Sequence, residues 1–486
     1  MTPPFFSPRT HSFRLTLAAC CSVGISLALS ALAFPAQAQT GSGAAVRGGN
    51  AATATAAPNR QAPNRFMNIK EITSPSGITA WLIESHNVPL MALRFAFDGG
   101  AAQDPPGKAG VANFMTGMMD EGAGDLDASA FQERVEEIAM RMGFSATRDH
   151  LFGSFETLTV NRDKAVELAR LALTKPRFEA DAVERVKKQI SSQLAFQAKD
   201  PERVAGRAWS RLAFGDHPSG RPTDGTSASV LSITPDDVRA YHRRVLARDT
   251  LKIVAVGDID AKALGELIDK LFADLPAKAE LTAVPPVKLK TGGAMEVLEM
   301  PVPQSAARFG FAAMGRKDPD FMAATVVNQI LGGGGFASRL MEEVREKRGL
   351  AYGVWSAVAP MAQSAVFSGG VATKNAELVK SLDVIKAEIA RMAKDGPTQK
   401  ELDNAKSYLV GSYPLRFDTN AKIANELLGL MVERLGIDYI NKRNPEIEAV
   451  TLADAKRVAA ALLKGDDLIV TVVGKPDGLK ATPMTP

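Results

Sequence analysis

The chain predicts an α+β fold built twice in tandem: two homologous domains, each a mostly antiparallel sheet packed against helices. Three observations point there. Residues 234–257 align without a gap on residues 451–474, at an offset of 217 at both ends. Each copy is a Thr suited to cap a helix, then an amphipathic helix, an apolar strand and a terminal Gly. The wider order also repeats: two strands, helices, two more strands, long helices, then the capped helix and its strand. One repeat at so long a period means duplication of a whole domain and not a solenoid. A two-lobed molecule makes the cleft between lobes a natural binding site.

The beginning of the chain reads as an export signal. Arg9, His11 and Arg14 are basic, 15–32 is apolar and small, and Ala36-Gln37-Ala38 is a small-x-small cleavage site. Residues 1–38 are therefore expected to be a cleaved signal peptide, and the protein periplasmic. The alternative is lipid attachment at Cys20 after LAA at 17–19, which leaves almost no apolar stretch behind Arg14. Both cysteines, Cys20 and Cys21, fall in this leader, so the 448 residues left after removing 38 from 486 contain no thiol, disulfide or Cys nucleophile. Those residues carry 56 bases (58 less two leader Arg) against 54 acids. Such near-balance argues against a nucleic-acid partner. No later run is long and apolar enough for a transmembrane helix. Residues 39–65, rich in Gly, Ala, Thr, Asn and Pro, bury too little to offset ordering entropy and read as a disordered linker.

The first domain is expected at 66–276. Its strands are 78–83 and 90–97, paired around Asn87-Val88-Pro89, then 143–146, 153–160 and 251–256. Its helices are 109–120, 128–142, 162–173, 180–197, 201–214, 235–246 and 261–275. A Pro/Ala/Lys-rich linker at 277–291 follows. The second domain, 292–478, has strands at 295–299, 306–311, 350–357, 365–372 and 468–473. Its helices are 320–331, 337–347, 376–393, 399–413, 421–435 and 452–463. Residues 479–486 form a tail.

The most unusual stretch is 331–355, LGGGGFASRLMEEVREKRGLAYGVW. Phe336, Leu340, Met341 and Val344 make an apolar face at helical spacing, and the charged residues between them supply the wet side. Gly349 is placed to end the helix in the left-handed region. Arg345 then lies in the last turn and Tyr352 early in the next strand, and both can point at one space. By themselves an Arg in a last turn and a Tyr in a strand are ordinary. The run Gly332, Gly333, Gly334 and Gly335 is either a tight helix-to-helix turn needing positive φ or a flexible loop that meets a ligand.

The segments GVANFMTGMMDEG at 110–122, SRL at 338–340 and REKRGLAY at 345–352, set in a duplicated α+β frame, resemble the pitrilysin-type zinc metallopeptidases. The likeness spans almost everything from 66 to 475. Active members carry H-x-x-E-H on the first helix, two His binding zinc and the Glu acting as general base, with a further Glu downstream. The resemblance lays the two His on Asn113 and Gly117, the base on Thr116 and the later Glu at or beside Gln193. Asn, Gly and Gln are poor or impossible zinc ligands, and Thr is no base near neutral pH. This chain is thus expected to bind no catalytic zinc and to hold no cofactor. Gly117 is expected in mid-helix, where nothing local calls for it.

The resemblance gives Arg345 and Tyr352 the substrate-clamping role of the second domain, with the Tyr hydroxyl on the scissile carbonyl and the Arg on the peptide backbone. It likens the glycine run to the substrate-meeting loop of a non-catalytic processing-peptidase subunit. The implied function is the zinc-free subunit of a periplasmic heterodimeric metallopeptidase. A partner subunit bearing H-x-x-E-H would hold the zinc, and the pair would act on unfolded or extended peptides. The alternative is a non-enzymatic peptide-binding or scaffold module. His86, His150, His217 and His242 stand at no ligand spacing, and Asp149-His150 with Glu156 reads as a turn. No P-loop, nucleophile elbow or dinucleotide fingerprint is present.

Overall fold

A computed structural model describes residues 67–290 and 292–483. The expected signal peptide at 1–38, the alternative at Cys20 and the linker at 39–65 lie outside them. The first half contributes β1 (Lys70–Thr73), β2 (Thr79–Glu84), β3 (Leu90–Asp98), β4 (Arg141–Ala146), β5 (His150–Leu158) and β6 (Lys252–Gly257). The second contributes β7 (Met295–Glu299), β8 (Gln304–Ala312), β9 (Gly353–Pro360), β10 (Ala365–Lys374), β11 (Ile469–Gly474) and β12 (Thr482–Pro483).

The two sheets run β1-β2-β6-β3-β5-β4 and β12-β7-β11-β8-β10-β9. Without their first strands they are the same five-stranded sheet twice, so the duplication read from 234–257 and 451–474 extends through the whole topology. β6 and β11 are central and buried almost throughout, which is why IVAV and IVTVV read as unbroken apolar runs. Each lies parallel to one neighbour and antiparallel to the other.

The expected hairpin of 78–83 with 90–97 does not form. β6 is inserted between β2 and β3, because alternation marks a strand's two faces and says nothing of its neighbours. The helix expected at 128–142 stops at Glu137; Ala139, at φ 50°, turns the chain into β4. His150 and Glu156, expected in a turn, both lie on β5. Residues of the expected tail form β12 beside β7. The helix Tyr439–Ala449 was not anticipated, since Pro445 sits inside it.

The two halves are joined by an exchange of equivalent helices. Pro201–Phe214, from the first half, lies on β8 and β11 of the second sheet. Trp209 is 4% exposed there, and its Nε1 donates to the Ile469 carbonyl at 3.1 Å. The Oγ1 of Thr471, in β11, donates to the Ala205 carbonyl at 2.8 Å. Reciprocally, Asn420–Val432 of the second half covers β3 and β6, where Ala424, Leu427 and Leu428 pack with Trp81, Ala96, Val254 and Val256. The linker is stitched down as well. Val287 N donates to Gln363 O at 2.9 Å, and Leu289 is buried beside Trp209.

Beneath Asn420–Val432, Arg94 of β3 donates from Nη2 to Glu156 Oε1 at 2.5 Å and from Nε to Asn425 Oδ1 at 2.8 Å. Removing one member of such a pair leaves a poorly solvated charge. Arg94→Met is expected to lower unfolding stability by about 3 kcal/mol in urea titrations, and Arg94→Met with Glu156→Leu to recover most of it.

Candidate functional site

The first-half helix begins on a buried carboxylate. Asp104 Oδ2 accepts from Gly110 N at 2.6 Å and Oδ1 from Ala112 N at 3.0 Å. Burial pushes Asp104 up to about 7 against the pull of these two N–H groups. The helix itself is short, Val111–Thr116, and Gly117 is its C-cap residue at φ −74° and ψ −7°. The expected helix to 120 and the mid-helix position of Gly117 are therefore corrected. The cost of an interior helical Gly does not apply, and a Cβ there would meet the Val186 side chain at an ordinary 3.8 Å.

The four positions that would carry zinc chemistry hold none of the required groups. Asn113 is half-buried, and Thr116 is buried with its Oγ1 donating to the Asn113 carbonyl at 2.8 Å. Gly117 and Gln193 are exposed, while Leu194 beside Gln193 is in the core. The side chains flanking them on the helix, Phe114, Met115 and Met118, are fully buried. An amide, an engaged hydroxyl, a missing side chain and an outward amide do not fit a zinc ion. Among the described residues no three His, Cys, Asp or Glu gather as a metal would require. Two carboxylates that the sequence did not draw attention to follow the helix. Burial pushes Asp120 up to about 6, and Glu121 is ion-paired with Arg185.

The second-half segment departs from a plain α-helix. Gln329–Gly333, which takes in the first two glycines of the run, and Met341–Glu346 are π-helical turns, with a 3-10 turn at Gly335–Ala337 between them. Wide turns of this kind recur at functional positions. Gly332 is required by close approach, since a Cβ would lie 2.4 Å from Ser356 Oγ. Gly335 adopts φ +56° in open space. The segment ends as expected at Gly349, φ +61°, whose N donates to Arg345 O at 2.8 Å while Leu350 N donates to Val344 O at 2.9 Å.

Leu340, Met341 and Val344 are core residues, but Phe336 is 67% exposed. Instead of packing inward, its ring lies against Arg345, with Cζ 4.6 Å from the ring centroid; the Tyr352 ring is on Arg345 as well, at 4.7 Å. The guanidinium is thus sandwiched between two aromatic faces, each contact contributing about 0.5–2 kcal/mol. Its Nη1 is buried without a hydrogen-bond partner, and Nε lies 3.5 Å from Glu346 Oε1. Tyr352 is 84% exposed and precedes β9 instead of lying inside the strand, because Leu350 O is held by Thr373 Oγ1 and pairing with β10 begins at Gly353.

A chain of ion pairs holds this segment in place. Arg339 makes a fork with Glu401, Nε to Oε1 at 2.6 Å and Nη2 to Oε2 at 2.8 Å, and reaches Glu388 at 3.3 Å. Arg391 joins Glu388 at 2.5 Å and Glu343 at 3.4 Å. Glu343, expected on the wet side, is buried and accepts from Lys347 at 2.9 Å and Arg348 at 2.6 Å. These bonds hold its carboxyl down at about 2, outweighing burial. Helical periodicity could not reveal that a Glu would face inward, because its partner Arg391 comes from a helix nearly fifty residues away.

Arg345 and Tyr352 are therefore brought together, with Phe336 as an unforeseen third member. Tyr352 borders a groove of about 820 Å³ whose lining includes Arg308, Trp355, Gly370 and Lys374 and none of Asn113, Thr116, Gly117 or Gln193. The arrangement offers an oriented guanidinium with an enclosed Nη1 and an exposed phenol at the mouth of a groove. Tyr352 can donate to a peptide carbonyl as it stands, and Arg345, with its side chain 28% exposed, can do so through N–H groups other than Nη1.

Residues 80–227 match the insulinase domain of peptidase family M16, and residues 232–409 match the domain described as the peptidase M16 inactive domain. The chain is 26% identical over 392 residues to a protein of Helicobacter pylori called non-peptidase homolog YmxG, covering 80% of this chain and 90% of that one. It is 27% identical over 414 residues to an uncharacterized zinc protease of Mycobacterium leprae, covering 82% and 90%. The crystal structure of a peptidase M16 inactive domain from Pseudomonas fluorescens superposes with a TM-score of 0.79 at 29% identity, covering 86% of this chain and all of that one. The chain belongs to the M16 peptidase family.

Proposed function

We propose that this chain is the zinc-free, non-catalytic subunit of a periplasmic heterodimeric metallopeptidase. It supplies Arg345 and Tyr352 in trans to a partner subunit that bears H-x-x-E-H and holds the zinc. The observation that carries this is the asymmetry between the halves. The four positions of the metal half hold no ligand or base, whereas Arg345 is kept planar between Phe336 and Tyr352 with an unpartnered donor. A group held so firmly in one half, with nothing to act on in the other, makes chemical sense against a site on another polypeptide.

The geometry supports a division of labour. The Tyr352 hydroxyl donates to the scissile carbonyl as negative charge develops, and Arg345 donates to the peptide backbone. The stacked rings and the Glu401–Arg339–Glu388–Arg391–Glu343 chain of ion pairs hold both groups in place beforehand. Substrate enters as an extended strand beside a sheet edge, a mode that uses main-chain hydrogen bonds and places little demand on sequence. β9, which starts directly after Tyr352, ends its sheet. The glycine run Gly332–Gly335 flanks the path, although Gly332 and Gly335 are each also explained by local geometry. The name of the Helicobacter relative favours a second reading, a non-enzymatic peptide-binding or scaffold module with the same groove.

Co-expression with the candidate partner separates the two. Tyr352→Phe is expected to lower the partner's kcat by about 10²-fold, the size seen on removing one oxyanion donor. Arg345→Ala is expected to raise KM as well, with the complex still formed. Unchanged turnover in both variants would eliminate the in-trans role and leave the binding module. Metal analysis of the isolated chain is expected to find less than stoichiometric zinc, and one zinc per chain would overturn both readings.

The clamp also sets a lower pH limit. Glu343 is held below its ordinary value of 4.5, at about 2, so its contribution to stability is present above 4.5 and is lost as pH falls toward about 2. Thermal unfolding between those limits is expected to show a steeper fall of Tm for the native chain than for Glu343→Gln.

A further inference from the structure

The duplicated sheets differ at one buried cation. Arg94 of β3 and Arg308 of β8 occupy the same place, in the strand between the parallel pair and the outer hairpin, on the face covered by the exchanged helix. Arg94 stands opposite Ser154, with Glu156 two residues further along β5. Arg308 stands opposite Gly370, and the position matching Glu156 is Ala372. Counted from the first residue of each exchanged helix, Asn425, which holds Arg94, corresponds to Gly206. Three groups around the cation have become Gly, Ala and Gly, while the cation remains.

What is left around Arg308 is incomplete compensation. Its Nη2 donates to Ser368 Oγ at 3.2 Å, and its Cζ lies 4.4 Å over the Trp355 ring. Among the described residues it makes no ion pair; burial works against its charge, and Glu202, at the start of the exchanged helix, offsets only part of that. Gly370 and Ala372 line a groove of about 820 Å³ that also contains Arg308 and Tyr352. Arg308, Arg348, Lys374 and Lys380 line it against Glu202 and Glu377, so the lining carries a net positive charge. A poorly solvated guanidinium, stacked on an indole and open to a groove, is a receptor for a planar anion that forms paired hydrogen bonds.

We propose that the groove around Arg308 is a carboxylate-binding site for an extended peptide, the arriving carboxylate taking the place that Glu156 fills beside Arg94. The ligand class rests on the peptide-binding reading above. The carboxylate is either the C-terminus of the peptide or an Asp or Glu side chain within it. Trp355 keeps the guanidinium in plane, and Gly370 leaves room, since a Cβ there would already stand 3.1 Å from Trp355 Nε1. The site places an anionic group of the peptide a short way along the groove from Tyr352.

The test uses the full chain without a partner and three short peptides carrying an N-terminal fluorophore. One has neutral side chains and a free C-terminus, the second is its C-terminal amide, and the third is that amide with one Gln→Glu change. Anisotropy titrations are expected to show at least one acidic peptide binding about ten-fold more tightly than the neutral amide, with the advantage shrinking at high salt. Whichever acidic peptide gains identifies the source of the carboxylate. Arg308→Met is expected to abolish the difference, and Arg308→Lys to retain part of it. Because Arg308→Met removes a charge that lacks an ion-pair partner, its Tm is expected to equal or exceed that of the native chain, unlike Arg94→Met. Equal affinity for all three peptides, or a preference that survives in folded Arg308→Met, would overturn the site while leaving peptide capture standing. Failure to bind any of them would remove both. Failure of the in-trans role is read separately, as partner turnover that ignores Tyr352→Phe.

Discussion

The exchange of helices between the two halves is the contact on which the rest of the structure depends. Each sheet would expose an apolar outer face if left to its own half. Pro201–Phe214 covers the second sheet and Asn420–Val432 covers the first. Trp209 alone removes a large apolar surface from water, about 2–3 kcal/mol by area, and its N–H closes on the Ile469 carbonyl. Because each half completes the other's core, neither sheet can shift without uncovering its partner's helix. The relative placement of the Arg345 segment and the groove beside it follows from this rigid cross-brace.

Duplication also provides an internal control. Two sheets of one topology, under equivalent helices, place an arginine at the same spot, and their surroundings have gone different ways. Around Arg94 the charge is closed off by Glu156 and Asn425, and the cation is a structural element. Around Arg308 the equivalent side chains have shrunk to Ala372 and Gly206, and a groove has opened. At the helix Val111–Thr116, Asp104 caps the N-terminus and Phe114 and Met115 fill the core beside Asn113 and Thr116. In both places the scaffold stands whatever polar groups it carries, as expected where function resides in a few side chains grafted on a fold.

The Arg345 segment is held in place by contacts on every side that the sequence does not place next to it. Two π-helical turns shift the register of the chain around the glycine run, and a chain of buried and half-buried ion pairs ties the segment to two neighbouring helices. Buried ion pairs of this kind are a weak source of net stability. Their effect here is positional: they fix the helix from which Arg345 rises, and Phe336 and Tyr352 fix its guanidinium.

The identity and order of most elements were legible in the sequence, because a strand or helix declares itself through local periodicity; β1, β12 and the helices Ser227–Ser232 and Tyr439–Ala449, short or carrying an internal Pro, were not. The duplication, the Gly349 stop and the pairing of Arg345 with Tyr352 were legible for the same reason, being local or repeated. The sequence also shows by residue type alone that Asn113, Thr116, Gly117 and Gln193 offer neither an imidazole nor a carboxylate. Tertiary structure decided everything that depends on which distant segment arrives as a neighbour. It put β6 between β2 and β3, gave each sheet the other half's helix, turned Phe336 outward onto Arg345 and drew Glu343 inward to Arg391. It also left Arg308 without the partner that Arg94 has. Periodicity records that a face is covered; what covers it is settled only when the chain closes on itself.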